Sequence, residues 1–203
     1  MSGEHVESQC SPHGPPDDAD LVRGTLDGQR DAFDRLIERY QRRATSVAYR
    51  LLGNLHDALE VCQEAFVRAY RGLPTLEDPD RFGSWLLRIV TNLSLNYRRS
   101  RRPRLSFEDC LRNNDPGLDE VLSDAPQSEH QPGARLAAAE LEAHIQAGLA
   151  TLPPQQRAAL VLFSIEQLPQ KDVARILNCS VEAVKWHVFQ ARQKIKAHLA
   201  EFL

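Results

Sequence analysis

The sequence predicts an all-α protein made of two small helical domains that are joined by an acidic flexible linker. Hydrophobic side chains recur at three- and four-residue steps, the spacing of one helix face, through most of the chain. Glycine is scarce, with 10 in 203 residues, and the alternation typical of strands is hard to find. Residues 105–134 lack that periodicity and are rich in Asn, Asp, Pro, Gly and Ser. We therefore expect a disordered acidic tail at 1–16, domains at 17–104 and 135–203, and a linker at 105–134.

The composition excludes several classes of protein. Hydrophobic residues make up 42% and charged residues 26%, as in a soluble globular protein. No apolar run approaches the length of a bilayer span, and the N-terminus lacks a basic and then apolar leader, so we expect a cytoplasmic protein without membrane insertion. No P-loop and no constellation of carboxylates and histidine stands out, so we expect neither enzymatic activity, catalytic residues nor a cofactor.

The cysteines are expected to be reduced thiols rather than metal ligands. They are scattered and show no CxxC motif, lying at Cys10, Cys62, Cys110 and Cys179. A grouping of His5, Cys10 and His13 is the alternative metal site, but it falls in the predicted disordered tail. We therefore predict no metal.

Charge is strongly segregated along the chain, although the net charge is only −3. Residues 1–20 hold five acids and no lysine or arginine, and residues 105–134 hold seven acids against one arginine. Residues 88–104 hold six arginines and no acid. The basic segment therefore suits a polyanion, whereas the acidic tail and linker weaken nonspecific attraction to phosphates.

Three helices are predicted before the basic segment, at about 17–26, 29–52 and 56–71. Gly53-Asn54 ends the second, as a C-terminal glycine does. The inner face of the third is predicted to carry Leu59, Cys62, Phe66, Ala69 and Leu73. Its other side carries Asp57, Glu60 and Glu64 at three- and four-residue steps, which we call the acidic ridge. The ridge suits a basic partner, and the alternative is a merely solvated face.

A fourth helix, at about 79–99, runs into the basic segment and begins after Asp78. Single-stranded nucleic acid is bound through base-reading amides, stacking surfaces and phosphate contacts. Here the amides are those of Asn92 and Asn96, the stacking surface is Tyr97, and the adjacent arginines provide the phosphate contacts. Phe82 and Trp85 could stack on bases in the same way or, alternatively, belong to the core.

The C-terminal part is helical again from about 134, and residues 168–196 form a predicted helix-turn-helix. Asn178-Cys179-Ser180 makes the turn, with Ser180 as the N-cap of the second helix. One sector of that helix carries Val184, Val188, Ala191, Ile195 and Leu199.

The opposite sector of the second helix points to DNA binding. Trp186 and Gln190 face solvent there, and Lys185 and Arg192 flank them. Two helices joined by a tight turn, with basic and amide side chains facing outward on the second, have the geometry that places a recognition helix in the DNA major groove. The alternative is a helical hairpin with a solvated face.

Taken in this order, the motifs resemble those of the extracytoplasmic-function (ECF) sigma factors of bacterial RNA polymerase. Asp57-Ala58, Gln63-Glu64 and Phe66 match the motif D-A-x-D-x-x-Q-E-x-F, and FGSWLLRIVTN at 82–92 matches F-x-x-W-L-x-x-I-x-x-N. LPPQQRAALVLF at 152–163 and the helix-turn-helix match the family's C-terminal domain.

The resemblance implies three sets of functional residues. Core polymerase binding is assigned to Asp57, Glu60, Gln63 and Glu64. Binding of the promoter −10 element is assigned to Phe82, Trp85, Asn92, Asn96, Arg98, Arg99, Arg101 and Arg102. Binding of the −35 element is assigned to Ser180, Glu182, Lys185, Trp186, His187, Phe189, Gln190 and Arg192.

The function implied is that of an alternative sigma factor, which binds core RNA polymerase and promoter DNA, promotes melting and is restrained by an anti-sigma factor. Leu59-Glu60 departs from the usual Glu-Asp, and Trp186, His187 and Gln190 stand where Ser, Arg and Arg are common. The competing hypothesis is a self-sufficient helix-turn-helix regulator that binds a palindrome as a dimer.

Overall fold

The computed structural model describes residues 16–100 and 132–200, which are helical and contain no strand. The α-helices, in chain order, are α1 Asp18–Leu26, α2 Arg30–Leu52, α3 Leu55–Gly72, α4 Phe82–Ser100, α5 Pro132–Thr151, α6 Pro154–Leu160, α7 Gln170–Leu177 and α8 Val181–Ala200. We call α1–α4 the N-terminal bundle and α5–α8 the C-terminal bundle. The all-α prediction is confirmed.

Side chains and glycine set the ends of the N-terminal helices. Asp17 caps α1 by accepting from the backbone N–H of Asp20 at 2.7 Å. Gly53 ends α2 in the left-handed conformation, with φ 80°, as predicted from its position. Asn54 then caps α3, accepting from the N–H of Asp57 at 3.0 Å. α2, α3 and α4 pack against one another around a buried core.

Two predictions about the N-terminal bundle need correction. Leu59 is 48% exposed and does not belong to the inner face of α3, whereas Cys62, Phe66, Ala69 and Leu73 are buried as predicted. The predicted helix at 79–99 is divided, since residues Pro79–Arg81 form a 3-10 turn and the α-helix begins at Phe82. Asp78 caps that turn, accepting from the N–H of Asp80 at 3.2 Å.

The C-terminal bundle contains the predicted helix-turn-helix. Asn178 ends α7 in the left-handed conformation, and the hydroxyl of Ser180 accepts from the N–H of Ala183 at 3.1 Å, which confirms Ser180 as the N-cap of α8. Val184, Val188 and Ala191 are buried as predicted, while Ile195 and Leu199 are half-buried. Between α6 and α7 lies a π-helical turn, Val161–Ile165.

The two bundles contact each other, which the sequence does not predict. α7 packs against α4, and α2 contacts α5 and α6. The side chains of Arg157 and Gln146, both buried, reach carbonyl oxygens in the last turn of α2. No helix of the described residues is apolar over a length that would cross a bilayer.

Candidate functional site

The acidic ridge on α3 is held by a tyrosine of α4. The Tyr97 hydroxyl lies 2.7 Å from Oδ1 of Asp57 and 3.1 Å from Oε2 of Glu60. Glu64, one turn further on, pairs with Arg68 at 2.7 Å, and both are exposed. The ridge is thus a set of carboxylates whose mutual repulsion is offset at one end by a shared hydroxyl and at the other by an arginine.

Tyr97 was predicted from sequence as part of the nucleic-acid surface, whereas its hydroxyl faces the ridge. Burial, followed by the hydrogen bonds to Asp57 and Glu60, raises the pKa of Tyr97, so the hydroxyl remains a donor to both carboxylates even in alkaline solution. Tyr97 lies 40 residues from Asp57 in sequence, so no local spacing could have indicated the contact.

Apolar side chains lie beside the ridge on the exposed part of α3. Leu59 is 48% exposed, Val67 39% and Tyr70 53%, and Gln63 is exposed between them. At 100° per residue these four side chains form a strip next to the acidic ridge. An acidic ridge edged by exposed hydrophobic groups is the mixture that protein partners cover, which favours docking over a solvated face.

One outward sector of α4 holds most of the predicted −10 residues that the structure describes. Trp85, Arg88, Asn92, Asn96 and Arg99 follow one another at three- and four-residue steps and point the same way; we call them the α4 stripe. Trp85 is half-buried, and the other four are exposed. The stripe offers one aromatic face, two amides and two guanidinium groups along a single helix.

Two predicted −10 residues point elsewhere, and two lie outside the described residues. Phe82 is fully buried against Tyr40 and Trp85, so it is a core residue and cannot stack on a base in this arrangement. Arg98 is half-buried and points toward the end of α2, where its guanidinium lies 3.4 Å from the carbonyl of Leu51. Arg101 and Arg102 are not among the described residues.

Two clefts flank the α4 stripe. One, of about 820 Å³, lies between the loop at 75–78, Trp85, Arg88 and the helix α7. The other, of about 350 Å³, is lined by Asn92, Asn96 and Arg99 together with the start of α6. Asn92 lies about two turns from Trp85 and opens into the second cleft, apart from the loop at 75–78.

The recognition helix α8 exposes its aromatic side chains. Trp186 is 53% exposed and Phe189 57%, which confirms the prediction that a tryptophan faces solvent. Trp186 packs edge-on against His187, with ring centroids 5.1 Å apart. Glu182 and Lys185 are exposed, while His187 and Gln190 are half-buried.

Two of the predicted −35 residues have contacts within the bundle. The Ser180 hydroxyl is engaged in capping α8. The guanidinium of Arg192 lies over the ring of Phe163, 5.7 Å from its centroid, and donates to the Ser164 hydroxyl at 3.1 Å. Arg192 is nevertheless exposed, so its cation remains within reach of a phosphate.

Each bundle matches one protein-family model over most of its length. Residues 36–104 match Sigma-70 region 2, and residues 144–195 match Sigma-70 region 4. The acidic ridge and the α4 stripe fall in the first match, and most of the exposed surface of α8 falls in the second.

Known proteins agree with these matches. The ECF RNA polymerase sigma factor SigE of Mycolicibacterium smegmatis is 34% identical over 170 residues, covering 84% of this chain; the chain spans only 62% of that relative's length. The RNA polymerase sigma-H factor of Pseudomonas aeruginosa is 31% identical over 192 residues, covering 92% of this chain and 95% of that one.

A solved structure supports the same assignment. The structure of CnrH in complex with the cytosolic domain of CnrY is similar with a TM-score of 0.62 and 28% identity, covering 91% of this chain and 97% of that one. This chain therefore belongs to the sigma-70 family, as an extracytoplasmic-function RNA polymerase sigma factor.

Proposed function

We propose that the N-terminal bundle docks on core RNA polymerase through the acidic ridge and reads the −10 element through the α4 stripe, while α8 reads the −35 element as duplex. The α4 stripe carries this proposal, because it collects an aromatic side chain, two amides and two cations along one sector of a single helix. In the predicted domain scheme, these are the activities of residues 17–104 and 135–203.

Polymerase docking is supported by the charge and shape of α3. Asp57, Glu60 and Glu64 converge on one side, and Tyr97 orders two of them. A basic coiled-coil surface on the polymerase would meet this ridge, while Leu59 and Tyr70 would supply the apolar contact that an ion-pair surface alone lacks. Exposed ion pairs fix the orientation of a partner more than they add affinity. We therefore expect the exposed apolar side chains of α3 and the acidic ridge to act together.

The −10 element is proposed to be read as a single strand. Arg88 and Arg99 lie at two places along the α4 stripe and suit backbone phosphates, whereas Asn92 and Asn96 between them suit base edges. Extruding a base costs a few kcal/mol, which stacking and hydrogen bonds repay. The cleft beside Asn92 is the site proposed for that base.

The −35 element is proposed to be read in the major groove. Trp186 and Gln190 lie one turn apart on the outward face of α8, with Lys185 exposed beside them. Glutamine can pair with N6 and N7 of adenine, and the indole can lie against a thymine methyl, so we expect an A·T pair at this position.

The partners proposed are core polymerase, promoter DNA and an inhibitory protein of the anti-sigma type, for a chain that works in the cytoplasm without enzymatic activity of its own. The solved relative in complex with the cytosolic domain of CnrY supports a protein partner of this kind. The acidic ridge is what separates this function from a self-sufficient regulator, which needs no polymerase-docking surface.

In vitro transcription with core polymerase tests the proposal, using the promoter in front of this chain's own gene. We expect transcription only when core and chain are combined, and weak DNA binding by the chain alone. Tight, specific gel shift of a palindrome without polymerase would contradict the proposal and favour the regulator.

A further inference from the structure

The two oxygens of a single carboxylate tie the start of α1 to the middle of α2. Asp18, the first residue of α1, is half-buried. Its Oδ1 accepts from Nη1 of Arg39, and its Oδ2 accepts from the hydroxyl of Tyr40. Arg39 also donates to the carbonyl of Pro16 at 2.7 Å. The segment that leads into α1 is therefore fixed at two successive points.

The hydroxyl end of Tyr40 also touches the first turn of α4, at a position where only glycine fits. A Cβ atom at Gly83 would lie 2.7 Å from the Tyr40 hydroxyl oxygen and 2.9 Å from its Cε1. These distances are well inside ordinary van der Waals contact, which for carbon atoms is about 3.5–4.0 Å. The Tyr40 ring is held from another side by Phe82, edge-on, with ring centroids 5.4 Å apart. We call Asp18, Tyr40 and Gly83 the α1 junction.

Aromatic packing continues from the α1 junction to the α4 stripe. Phe82, which is fully buried, contacts both Tyr40 and Trp85, and its ring centroid is 6.0 Å from that of Trp85. The Trp85 ring also lies over Gly72, where an added Cβ would be 3.4 Å from Cζ2. Trp85, the aromatic member of the stripe, therefore takes its position from Phe82 and from the end of α3.

α1 also supports the loop that forms one wall of the cleft beside Trp85. The short 3-10 turns Leu73–Thr75 and Pro79–Arg81 both contact α1. They flank the loop at 75–78, which lines the cleft together with Trp85 and Arg88. Both ends of this loop, and the aromatic side chain beside it, thus depend on where α1 lies.

The polar contacts of the α1 junction set geometry more than they add stability. Ala19, Leu21 and Val22 are buried and already hold α1 on the rest of the bundle. Apolar packing is non-directional, whereas hydrogen bonds to a carboxylate require particular distances and angles. Removing a carboxylate from water is also costly, so the half-buried Asp18 is explained better by orientation than by stability.

From these contacts we propose that α1 is a positioning element of the −10 site: Asp18 and Tyr40 hold Trp85 and the loop at 75–78 in the arrangement that binds the preferred −10 sequence. Asp18 and Tyr40 are positioning residues, which act through Trp85 and do not themselves meet the strand. This role of α1 rests on the −10 function proposed for the α4 stripe. It gives a part in promoter selectivity to a helix that lies outside both the acidic ridge and the stripe.

The test weakens the α1 junction and compares promoter selectivity with stability. Asp18→Asn removes the charge and one of the two acceptor oxygens, and Tyr40→Phe removes the hydroxyl but keeps the ring. The matched control is Asp20→Asn, the same change on the same helix, in an exposed ion pair. Val47→Ala, which truncates a buried side chain of α2 about two turns beyond Tyr40, is the control for lost stability.

Three measurements separate position, function and stability. Acrylamide quenching of Trp85 fluorescence in the free chain, in a Trp186→Phe background that leaves one tryptophan, reports the exposure of that ring. Open-complex formation with core polymerase is ranked over a set of single −10 substitutions in the promoter of the chain's own gene. Urea unfolding gives the midpoint for each variant.

We expect Asp18→Asn and Tyr40→Phe each to increase Trp85 quenching and to lower open-complex formation about fivefold on the preferred −10 sequence, the ratio that corresponds to one lost hydrogen bond. Poor −10 sequences should lose less, so the ranking flattens. The double variant should lose no more than Asp18→Asn alone, because both changes remove the same contact. Val47→Ala should lower the urea midpoint and leave ranking and quenching unchanged, and Asp20→Asn should change none of the three.

Gly83→Ala tests the junction from the side of α4. Alanine is a better helix former than glycine, so the helix propensity of α4 rises. The added methyl group would nevertheless press on Tyr40 and displace either its hydroxyl from Asp18 or the first turn of α4. The same flattened ranking is therefore expected, although intrinsic propensity favours the substitution.

Three results would overturn the proposal, each at a different step. If Trp85→Ala flattens the ranking while Asp18→Asn and Tyr40→Phe do not, α1 has no positioning role and the −10 function of the stripe stands. A uniform loss on every −10 sequence would assign the junction to stability alone. If Trp85→Ala itself leaves the ranking unchanged, the −10 function proposed for Trp85 fails. Quenching then decides the structural step, and quenching unchanged in Asp18→Asn would overturn the positioning of Trp85 by α1 as well.

Discussion

Some side chains make contacts that their residue type and sequence position do not predict. Tyr97 lies among amides and arginines in sequence, yet its hydroxyl orders the carboxylates of another helix. Phe82 matches a motif aromatic, yet it is fully buried. Exposed groups such as Trp186 were predictable because helix periodicity fixes the direction of a side chain, whereas its partners across the fold depend on tertiary packing.

Tyr97→Phe should weaken core polymerase binding several-fold while costing about 1 kcal/mol of folding free energy, because it removes the hydroxyl that orders Asp57 and Glu60. Tyr40→Phe, which removes the hydroxyl that donates to Asp18 outside the ridge, is the matched control: it should cost a similar folding free energy and leave core affinity unchanged. Titration of labelled core polymerase measures the affinity. Equal loss of affinity in both variants would contradict a specific role for Tyr97.

The raised pKa of Tyr97 gives this residue a second, pH-dependent signature. Its unfolded pKa is near 10, so the stabilisation is complete below about pH 10 and is lost as pH rises toward the higher folded value. Tyr40, which donates to Asp18, has a raised pKa for the same reasons and contributes similarly. The alkaline fall in melting temperature should therefore be shallower, but still present, in Tyr97→Phe.

Trp186→Ala should lose under about 1 kcal/mol of stability and most of its −35-dependent transcription, because the indole is half exposed. A tryptophan packed in a core would cost about 3–5 kcal/mol on truncation. Gln190→Ala should reorder the ranking of −35 base substitutions without unfolding the bundle. Urea unfolding and transcription from −35 variants measure both, and unchanged ranking would remove Gln190 from base recognition.

At the scale of helices, the sequence predicts where helices occur and which residues cap them, but it is less reliable about which face of a helix is buried. Gly53, Asp78 and Ser180 terminate or begin elements as their types predict. Leu59 was assigned inward because it is apolar, but the face of α3 that meets α2 and α4 excludes it. An exposed leucine beside the acidic ridge is better explained by a partner protein than by the fold.

Charge reversal on α3 should separate docking from folding. Glu64→Lys is expected to weaken core binding markedly while changing the melting temperature little, because Glu64 is half exposed and its pair with Arg68 is worth only a few tenths of a kcal/mol. Asp57→Lys would not separate the two effects, because it also removes the hydrogen bond from Tyr97 and so changes stability. Glu38→Lys at an exposed position of α2 makes the same change in net charge and is the control. Unaltered pull-down of core by Glu64→Lys would argue against the ridge.

Along α4, cations and amides should have distinct effects. Arg99→Ala is expected to weaken open-complex formation on every promoter and to lower its salt dependence by about one phosphate contact. Asn92→Ala should reduce discrimination between bases at one −10 position, with a loss of about 1–3 kcal/mol in the free energy of open-complex formation at that position. Open-complex assays on a set of −10 substitutions compare the two, and an identical pattern for both variants would refute the division of labour.

The contact between the bundles is the part of the molecule that sequence reasoning missed. The side chains of Arg43 and Glu166 form an ion pair between the bundles at 2.6 Å, although the two residues are 123 positions apart in sequence. Each lies in a segment whose polar residues have the pattern of an ordinary solvent-exposed helix face. Arg157 resembles any surface arginine in sequence, although it is buried against α2. Periodicity identifies the elements of each bundle but contains no information on how two preformed bundles meet.

Salt should therefore open the free chain. Three ion pairs join the bundles: Arg43–Glu166, Arg50–Glu142 and Arg81–Asp172. Mobile ions screen these pairs, most strongly where they are exposed, so the radius of gyration measured by small-angle X-ray scattering should rise as NaCl increases from low to about 1 M. An apolar interface would show no such loss, since the association of hydrophobic surfaces is not weakened by NaCl. Arg43→Gln combined with Glu166→Gln should flatten the response, because the shortest pair is then absent. The helical content, followed by circular dichroism, should stay constant throughout, which separates opening of the bundles from unfolding. A radius that is independent of salt in the wild-type chain would mean that the charged contacts do not hold the bundles together.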